Sequence, residues 1–340
     1  MFFKNSFKKK KILVTGGTGL VGCHLLYLLA KKNVKIKALH RKNSKIDVVK
    51  KVFSYHSENY EELFKKISWI EGDINDIESL SNAFKNVTEV YHCAAFISFD
   101  SKDLNSLKKI NVEGTANIIN FSLDNKIDKL CYVSSIAAIG ETKTKAIDED
   151  CKWEETANPY SVTKYNAEME VWRGISEGLN AVIVNPGVIV GSGFWKRGSG
   201  AFITQISRGM KYYPAGSTGF ICVEDVVEIM HELMSKSIFS KRFILVAENW
   251  SYKDFITKVC SHLKLSPPIK KAGKSLMRLA LIFDILNSWF NKKRRKLSLA
   301  SINSSQSINK YSNKKIKSEL DYSFKNIEKS IEETCLNFKK

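Results

Sequence analysis

No run of apolar residues in this 340-residue chain is long enough to span a bilayer, and no two cysteines are spaced as CxxC. The first absence excludes a membrane-spanning helix. The second excludes a zinc ribbon, and seven cysteines scattered singly do not read as a disulfide framework. A reducing cytoplasm suits them. The six histidines have no metal-ligand spacing, so no metal is expected. Internal repeats are missing, as is a signal peptide: the N-terminal MFFKNSFKKKK has no separate hydrophobic region or cleavage site. Acidic residues are in short supply, 35 against 54 Lys and Arg, for a net charge of +19. Such a balance can serve nucleic acid. Here lysine recurs throughout beside Asn, Ile and Ser, with no nucleic-acid motif among the basic residues, so that partner is not expected.

What the chain does have is glycine concentrated at one place. Residues 11–22 read KILVTGGTGLVG, with Gly16, Gly17, Gly19 and Gly22 directly after the β-favouring run Ile12-Leu13-Val14. Residues 20–30 are apolar all round, as in a helix packed on a sheet. Glycines in a strand-to-helix turn permit positive φ and let a ligand approach the main chain. The free N–H groups of the helix start attract anions. This predicts a dinucleotide held by Gly16, Thr18, Gly19, Leu20, Val21 and Gly22.

The first half alternates strand-like segments (11–15, 34–39, 67–71, 89–93, 129–134, 181–185) with helix-like ones (20–32, 47–66, 77–85, 104–125, 160–177). That alternation predicts an α/β fold, a doubly wound parallel sheet with ligands at the C-terminal strand ends. After Gly187 the composition shifts to Gly and Ser, with helices over 224–235 and 252–263. This region reads as a smaller, mostly helical cap. Residues 276–290 are apolar but carry Arg278 and Asp284, and the basic run 292–296 follows. A core-facing cap helix with a solvated charged end is expected there. Membrane-surface association through 276–296 is the weaker alternative. The polar stretch 298–315 is expected to be a mobile loop.

Tyr-x-x-x-Lys occurs three times, at Tyr27/Lys31, Tyr160/Lys164 and Tyr311/Lys315. Tyr160 alone opens a helix after a strand ending in Ser134-Ser135. Residues four apart share a helix face, so Lys164 would lie beside the phenol. Its ammonium and a cationic nicotinamide ring would lower the phenol's pKa. Tyr160 would then pass a proton to a carbonyl oxygen as hydride arrives, with the Ser135 hydroxyl holding the same oxygen and Ser134 second in line. NAD-binding turns place an acid after the second strand. No Asp or Glu lies between Gly22 and Ile46, and the strand exits into His40-Arg41-Lys42. Arg41 predicts NADP(H), by pairing with a 2′-phosphate, over NAD(H).

Taken together, these residues resemble the extended short-chain dehydrogenase/reductase superfamily, the NAD-dependent epimerase/dehydratase group. TGGTGLVG is similar to its TGxxGxxG turn, HCAA at 92–95 to its fourth-strand motif, GDI at 72–74 to its adenine contact and NVEGT at 111–115 to its central-helix Asn motif. VSSIAAIG, YSVTK, NPGVIVG and FICVEDVV follow in the expected order, and the C-terminal tail resembles the group's last helix. Within the group, dihydroflavonol-reductase-like, 3β-hydroxysteroid-dehydrogenase-like and hopanoid-associated epimerase-like members are the most similar. The resemblance implies a Rossmann-type domain over 1–187, joined by parts of about 215–250, and an interleaved substrate cap over 188–340. It implies cofactor contacts from Asp73, Ile74, Ala94, Ala95, Tyr160, Lys164, Pro186 and Val188. It also implies a proton-relay role for Asn111 through water, and a homodimer formed by helices 104–125 and 160–177.

For substrate, Phe96-Ile97-Ser98-Phe99 follows the fourth strand and implies a small, fairly apolar alcohol or ketone touching Phe96, Ser135 and Tyr160. The alternative is a nucleotide-sugar epimerase or dehydratase. Against it, Asn185 and Val188 stand where an RPxNxYG-like motif has Arg and Asn, and Ile136-Ala137-Ala138 offers no dehydratase acid pair. A cofactor-binding protein without catalysis is a third reading, weakened by the intact Ser135, Tyr160 and Lys164.

Overall fold

The structure, a computed structural model, describes residues 10–32, 34–140, 146–154, 158–291 and 298–340, with the side chains of 285–291 outside that description. In chain order the elements are β1 (Lys11–Thr15), α1 (Leu20–Lys31), β2 (Lys35–His40), α2 (Ile46–Ser54), α3 (Tyr60–Lys65), β3 (Ile67–Glu71), α4 (Ile77–Phe84) and β4 (Glu89–His92). Next come α5 (Leu104–Leu107), a π-helical turn (Lys108–Glu113), α6 (Gly114–Asp124), β5 (Lys129–Val133), α7 (Pro159–Ser176), β6 (Ala181–Pro186), β7 (Val188–Val190) and α8 (Gly198–Ser207). The C-terminal part holds β8 (Tyr212–Pro214), β9 (Ser217–Cys222), α9 (Val223–Ser235), β10 (Lys241–Leu245), β11 (Glu248–Ser251), α10 (Tyr252–Leu263), β12 (Lys270–Ala272), α11 (Lys274–Asn291), α12 (Leu299–Gln306), α13 (Lys314–Leu320) and α14 (Ile327–Phe338).

The main sheet has seven strands in the order β10-β6-β5-β4-β1-β2-β3, all parallel. Strand order reverses between β1 and β4, where Thr15 lies opposite His92. That is where an open α/β sheet leaves a crevice for a ligand. Both faces of the sheet are covered, so its strands are apolar on both sides. Along β5, Leu130 and Tyr132 pack with Ile118, Ile119 and Val171 of α6 and α7. Cys131, between them, packs toward Leu25, Leu29, Met230 and Leu233 of α1 and α9 on the other face. A second sheet, β11-β9-β7, leads away from β6.

Four stretches differ from what the sequence suggests. Residues 47–66 form two helices, because Ser57 and Asn59 turn the chain: the Ser57 hydroxyl accepts from the Asn59 N–H at 3.2 Å. Residues 104–125 are interrupted by the π-helical turn around Asn111. The segment 298–315, expected as a mobile loop, starts as α12 with a reciprocal Ser298–Ser301 capping box. It then bridges to Ser217 and Ile147 through Ile308 and Tyr311. In α11, expected to face the core, Leu281 is buried while several other apolar side chains stand in solvent.

A buried ionisable cluster locks α1 to α9. The His24 ring donates from Nε2 to the Ser192 carbonyl at 3.2 Å and accepts at Nδ1 from His56 Nε2 at 3.0 Å. Glu224, at the start of α9, lies 3.9 Å from His24 Nδ1. Burial, and then the neighbouring His24, hold the His56 pKa down to about 4, and burial lowers that of His24 as well. Unfolded histidine takes up a proton near pH 6.5, so between pH 6.5 and 4 the unfolded chain binds more protons and stability falls with acid. Removing the His56 titration with His56→Gln, which keeps an N–H donor for His24, is expected to recover on the order of 2 kcal/mol of the loss across that window. Urea unfolding at a series of pH values measures it; parallel curves for both proteins would count against the assignment.

Candidate active site

The glycine turn sits at the switch in strand order. Gly16 has φ +69°, and a Cβ there would lie 2.5 Å from the Ala94 nitrogen; one on Gly22 would lie 2.2 Å from the Gly16 carbonyl oxygen. The turn thus presses against the end of β4 and against its own helix, which side chains would forbid. Gly19 caps α1 without a side chain. The main-chain N–H groups of Leu20, Val21 and Gly22 are the unpaired first donors of that helix.

Beyond the turn, a cleft of about 570 Å³ is lined by Thr18, Arg41, Ser44, Asp73 and Arg197, among others. The fold therefore brings Thr18, Arg41 and Asp73 together as the sequence suggests. Arg41 begins a tight turn in which its N–H donates to the Ser44 hydroxyl at 3.1 Å and its carbonyl accepts from the Ser44 N–H at 2.8 Å. Lys42 and Lys45 line the same wall. Asp73 holds its own loop, accepting from the Asn75 N–H at 2.9 Å. Ile74 is buried against Gly114, where a Cβ would come within 2.4 Å of its Cδ1. Arg197, just before α8, was invisible to sequence reasoning, because it lies more than 150 residues from Arg41 without a motif of its own.

At the C-terminal end of β5 the phenol and the serine meet. Asn158 caps α7, its side-chain oxygen accepting from the N–H groups of Tyr160 and Ser161, and Pro159 supplies a preset φ. This fixes Tyr160 in the first turn. Its buried phenol lies beside the Ser135 hydroxyl, which accepts from the Ala137 N–H at 3.1 Å, and its ring lies edge-on to Phe99 with centroids 5.6 Å apart. Ser134 points elsewhere and donates to Glu168 at 2.7 Å. Phe96 is half-buried and Ala95 exposed beside this corner. Pro186 ends β6, and Val188 pairs with Phe220 across the second sheet.

Lys164 finds its hydrogen-bond partners on β5. Its ammonium donates to the Tyr132 hydroxyl at 2.6 Å and to the Val133 carbonyl at 2.9 Å. Being almost wholly buried, it must find acceptors, and the end of β5 supplies them. Burial lowers its pKa to about 7, against which the carboxylate of Glu168 works. In the chain alone, burial pushes the Tyr160 phenol up to about 12, opposed by the nearby Ser135 hydroxyl.

Asn111 lies in the π-helical turn, a feature that recurs at functional sites. Its side-chain oxygen accepts from the Phe96 N–H at 2.7 Å. Its amide donates to the Phe96 carbonyl at 3.0 Å and to the Thr163 hydroxyl at 3.3 Å. Here Asn111 ties the loop after β4 to the Tyr160 helix, a holding role beside the relay role that resemblance implies. His92 continues the tie. Thr115 donates to the Asn111 carbonyl, so His92 Nε2 donates to Thr115 at 3.0 Å and Nδ1 accepts from Thr15 at 2.6 Å. Burial and the Lys164 ammonium hold this imidazole neutral, its pKa down to about 3.

The family model of the NAD dependent epimerase/dehydratase family matches residues 12–246, from β1 to just past β10. The chain belongs to this family. Sterol demethylase protein B of Methylococcus capsulatus is 26% identical over 291 residues, 83% of this chain and 84% of that protein. A protein provisionally named dihydroflavonol 4-reductase, from Synechocystis sp., is 30% identical over 264 residues, 75% of this chain and 73% of its own length. The crystal structure of gox2253 superposes with a TM-score of 0.80 at 26% identity, covering 97% of this chain and 98% of the other. The matched range thus spans the seven-stranded sheet and the glycine turn. Among the described residues, no helix is long and apolar enough to cross a membrane.

Proposed function

We propose that this member of the family is an NADP(H)-dependent oxidoreductase that reduces a carbonyl, or oxidises the matching alcohol, on a small and fairly apolar molecule. The observation that carries the reading is the buried Tyr160 phenol, placed beside Ser135 and flanked by Phe99, at the end of β5. A bound nicotinamide dinucleotide would supply the hydride. The chain's own part is to hold the substrate oxygen between the Ser135 and Tyr160 hydroxyls and to deliver or accept its proton at the phenol oxygen. Phe96, Ile97 and Phe99 form the apolar side of that position. The glycine turn, Ala94, Ala95, Ile74, Pro186 and Val188 would contact the cofactor, with the pyrophosphate on the N-terminus of α1. The same reading includes the division into a Rossmann-type domain and a cap, cytoplasmic residence, and a homodimer through α6 and α7.

An epimerase or dehydratase using the same cofactor is the competing reading, since the family's name includes both. It is disfavoured by Val188, an apolar residue where the RPxNxYG-like motif carries its sugar-contacting Asn. Asn185, at the Arg place, donates to Glu168 at 2.8 Å and to the Ser135 carbonyl at 3.0 Å. Following NADPH oxidation over a panel of ketones, aldehydes and nucleotide sugars separates the two. Net oxidation with an apolar carbonyl supports the oxidoreductase; isomerised sugar without net oxidation supports the epimerase.

Cofactor choice rests on the basic wall of the cleft. Arg41→Ala is expected to raise the NADPH dissociation constant by about 10–100-fold, the range for one charge-assisted hydrogen bond pair. The NADH constant should move by less than about threefold, since that ligand has no 2′-phosphate for Arg41 to grip. Fluorescence titration of the two nucleotides reads both, and equal changes would defeat the assignment.

A further inference from the structure

We infer that α11 is an interfacial helix that seats the protein on an anionic lipid surface, a role separate from the chemistry at Tyr160. The described half of this helix has two unlike faces. One rests on α12: Leu281 is buried, and the Met277 sulfur meets the Gln306 amide at 2.9 Å. The other presents Leu276, Leu279, Ile282 and Phe283, between 41% and 70% exposed, with Phe283 the most exposed. At 100° per residue these four fall on one arc of about 120°, the width of an apolar stripe. Among the described residues, seven of the thirteen exposed large apolar side chains lie between Leu265 and Leu299. Single exposed apolar residues need no explanation, whereas a contiguous group marks a contact surface.

Charge says what kind of contact. Residues 264–284 carry five Lys or Arg against a single acid, Asp284. Lys270, Lys271, Lys274 and Arg278 are exposed on β12 and α11 themselves. An apolar stripe bordered on one side by Arg278, with further cations at the start of α11 and on β12, suits a bilayer rich in anionic headgroups. The stripe enters the boundary of headgroups and acyl chains, and each cation near the surface adds about 1 kcal/mol. A second copy of this chain fits less well, because two such patches would bring like charges together. A spanning role is excluded by the exposed Lys274 and Arg278 within the helix and by its seat on α12.

Co-sedimentation of the full chain with phosphatidylcholine vesicles, with and without about 30 mol% phosphatidylglycerol, tests the inference. Binding is expected to be at least tenfold stronger to the anionic vesicles and to fall on going from about 0.1 M to 1 M salt, as the screening length drops from ~10 to ~3 Å. The double variant Leu279→Glu/Phe283→Glu should lose at least tenfold in partitioning while keeping its melting temperature, since both positions are exposed. Equal recovery with both vesicle types, or equal binding by wild type and variant, would overturn the inference. So would a wild-type dimer that the variant converts to a monomer without any vesicle binding, which would assign the face to a second copy. These readouts use no substrate, so they stand or fall apart from the proposed reaction.

Discussion

Tyr160→Phe is expected to lower turnover by about 10²–10⁴-fold, the usual worth of a positioned general acid, while cofactor affinity changes by less than about threefold. The substitution removes one oxygen and keeps the ring that stacks edge-on with Phe99, so the corner should stay folded. What is lost is the proton donor beside the Ser135 hydroxyl. The pH dependence follows from burial. With its pKa pushed up to about 12, the phenol of the free protein is fully protonated at neutral pH, the form that carbonyl reduction requires. Reduction should therefore proceed without an alkaline limb set by Tyr160 across the neutral range. Alcohol oxidation needs the phenolate and should rise with pH across the neutral range. Steady-state rates in both directions, with nucleotide binding measured alongside, check this. Turnover within about threefold of wild type would show that another group supplies the proton.

How far the sequence could reach is visible at particular residues. The glycine turn was legible because each glycine answers a local need: close approach to Ala94 and the tight start of α1 are backbone requirements written in consecutive letters. Six strands of the main sheet were legible from short apolar runs, with ends differing by one residue or none. Arg41 was legible as a missing acid. The π-helical turn was not. Its register is set by Asn111 reaching the backbone of Phe96 and the hydroxyl of Thr163, contacts that no local propensity encodes. The same holds for Lys164. Helical spacing puts it near Tyr160, but the acceptors that satisfy it, Tyr132 and Val133, belong to a strand more than thirty residues earlier. The segment 298–315 misled because polar residues were read as loop, although Ser298 and Ser301 are a capping box.

Glu168 is the strongest case of a residue unmarked by any motif whose loss should be felt throughout the site. Its carboxylate is fully buried in α7 and accepts from Ser134 of the β5 end at 2.7 Å, Asn185 of β6 at 2.8 Å and Arg242 of β10 at 3.0 Å. One side chain thus joins three neighbouring strands to the Tyr160 helix. Glu168→Ala would leave the Arg242 guanidinium without its carboxylate and two polar groups without acceptors, a loss of about 3–5 kcal/mol. At ~2–3 °C per kcal/mol that is a fall in melting temperature of roughly 6–15 °C. Glu168→Gln separates the structural role from the electrostatic one, because it keeps the shape and an acceptor oxygen but removes the charge. Since the carboxylate raises the Lys164 pKa against burial, Glu168→Gln should move the Lys164 titration to lower pH. Any limb of the rate profile that reports this ammonium should then shift acidward in the folded variant. Calorimetry and a pH–rate profile on the same two proteins give the answer. A Glu168→Ala protein that melts within about 2 °C of wild type would mean that Arg242 and Asn185 find other partners, and the carboxylate would no longer account for the joining of β5, β6 and β10 beneath the site.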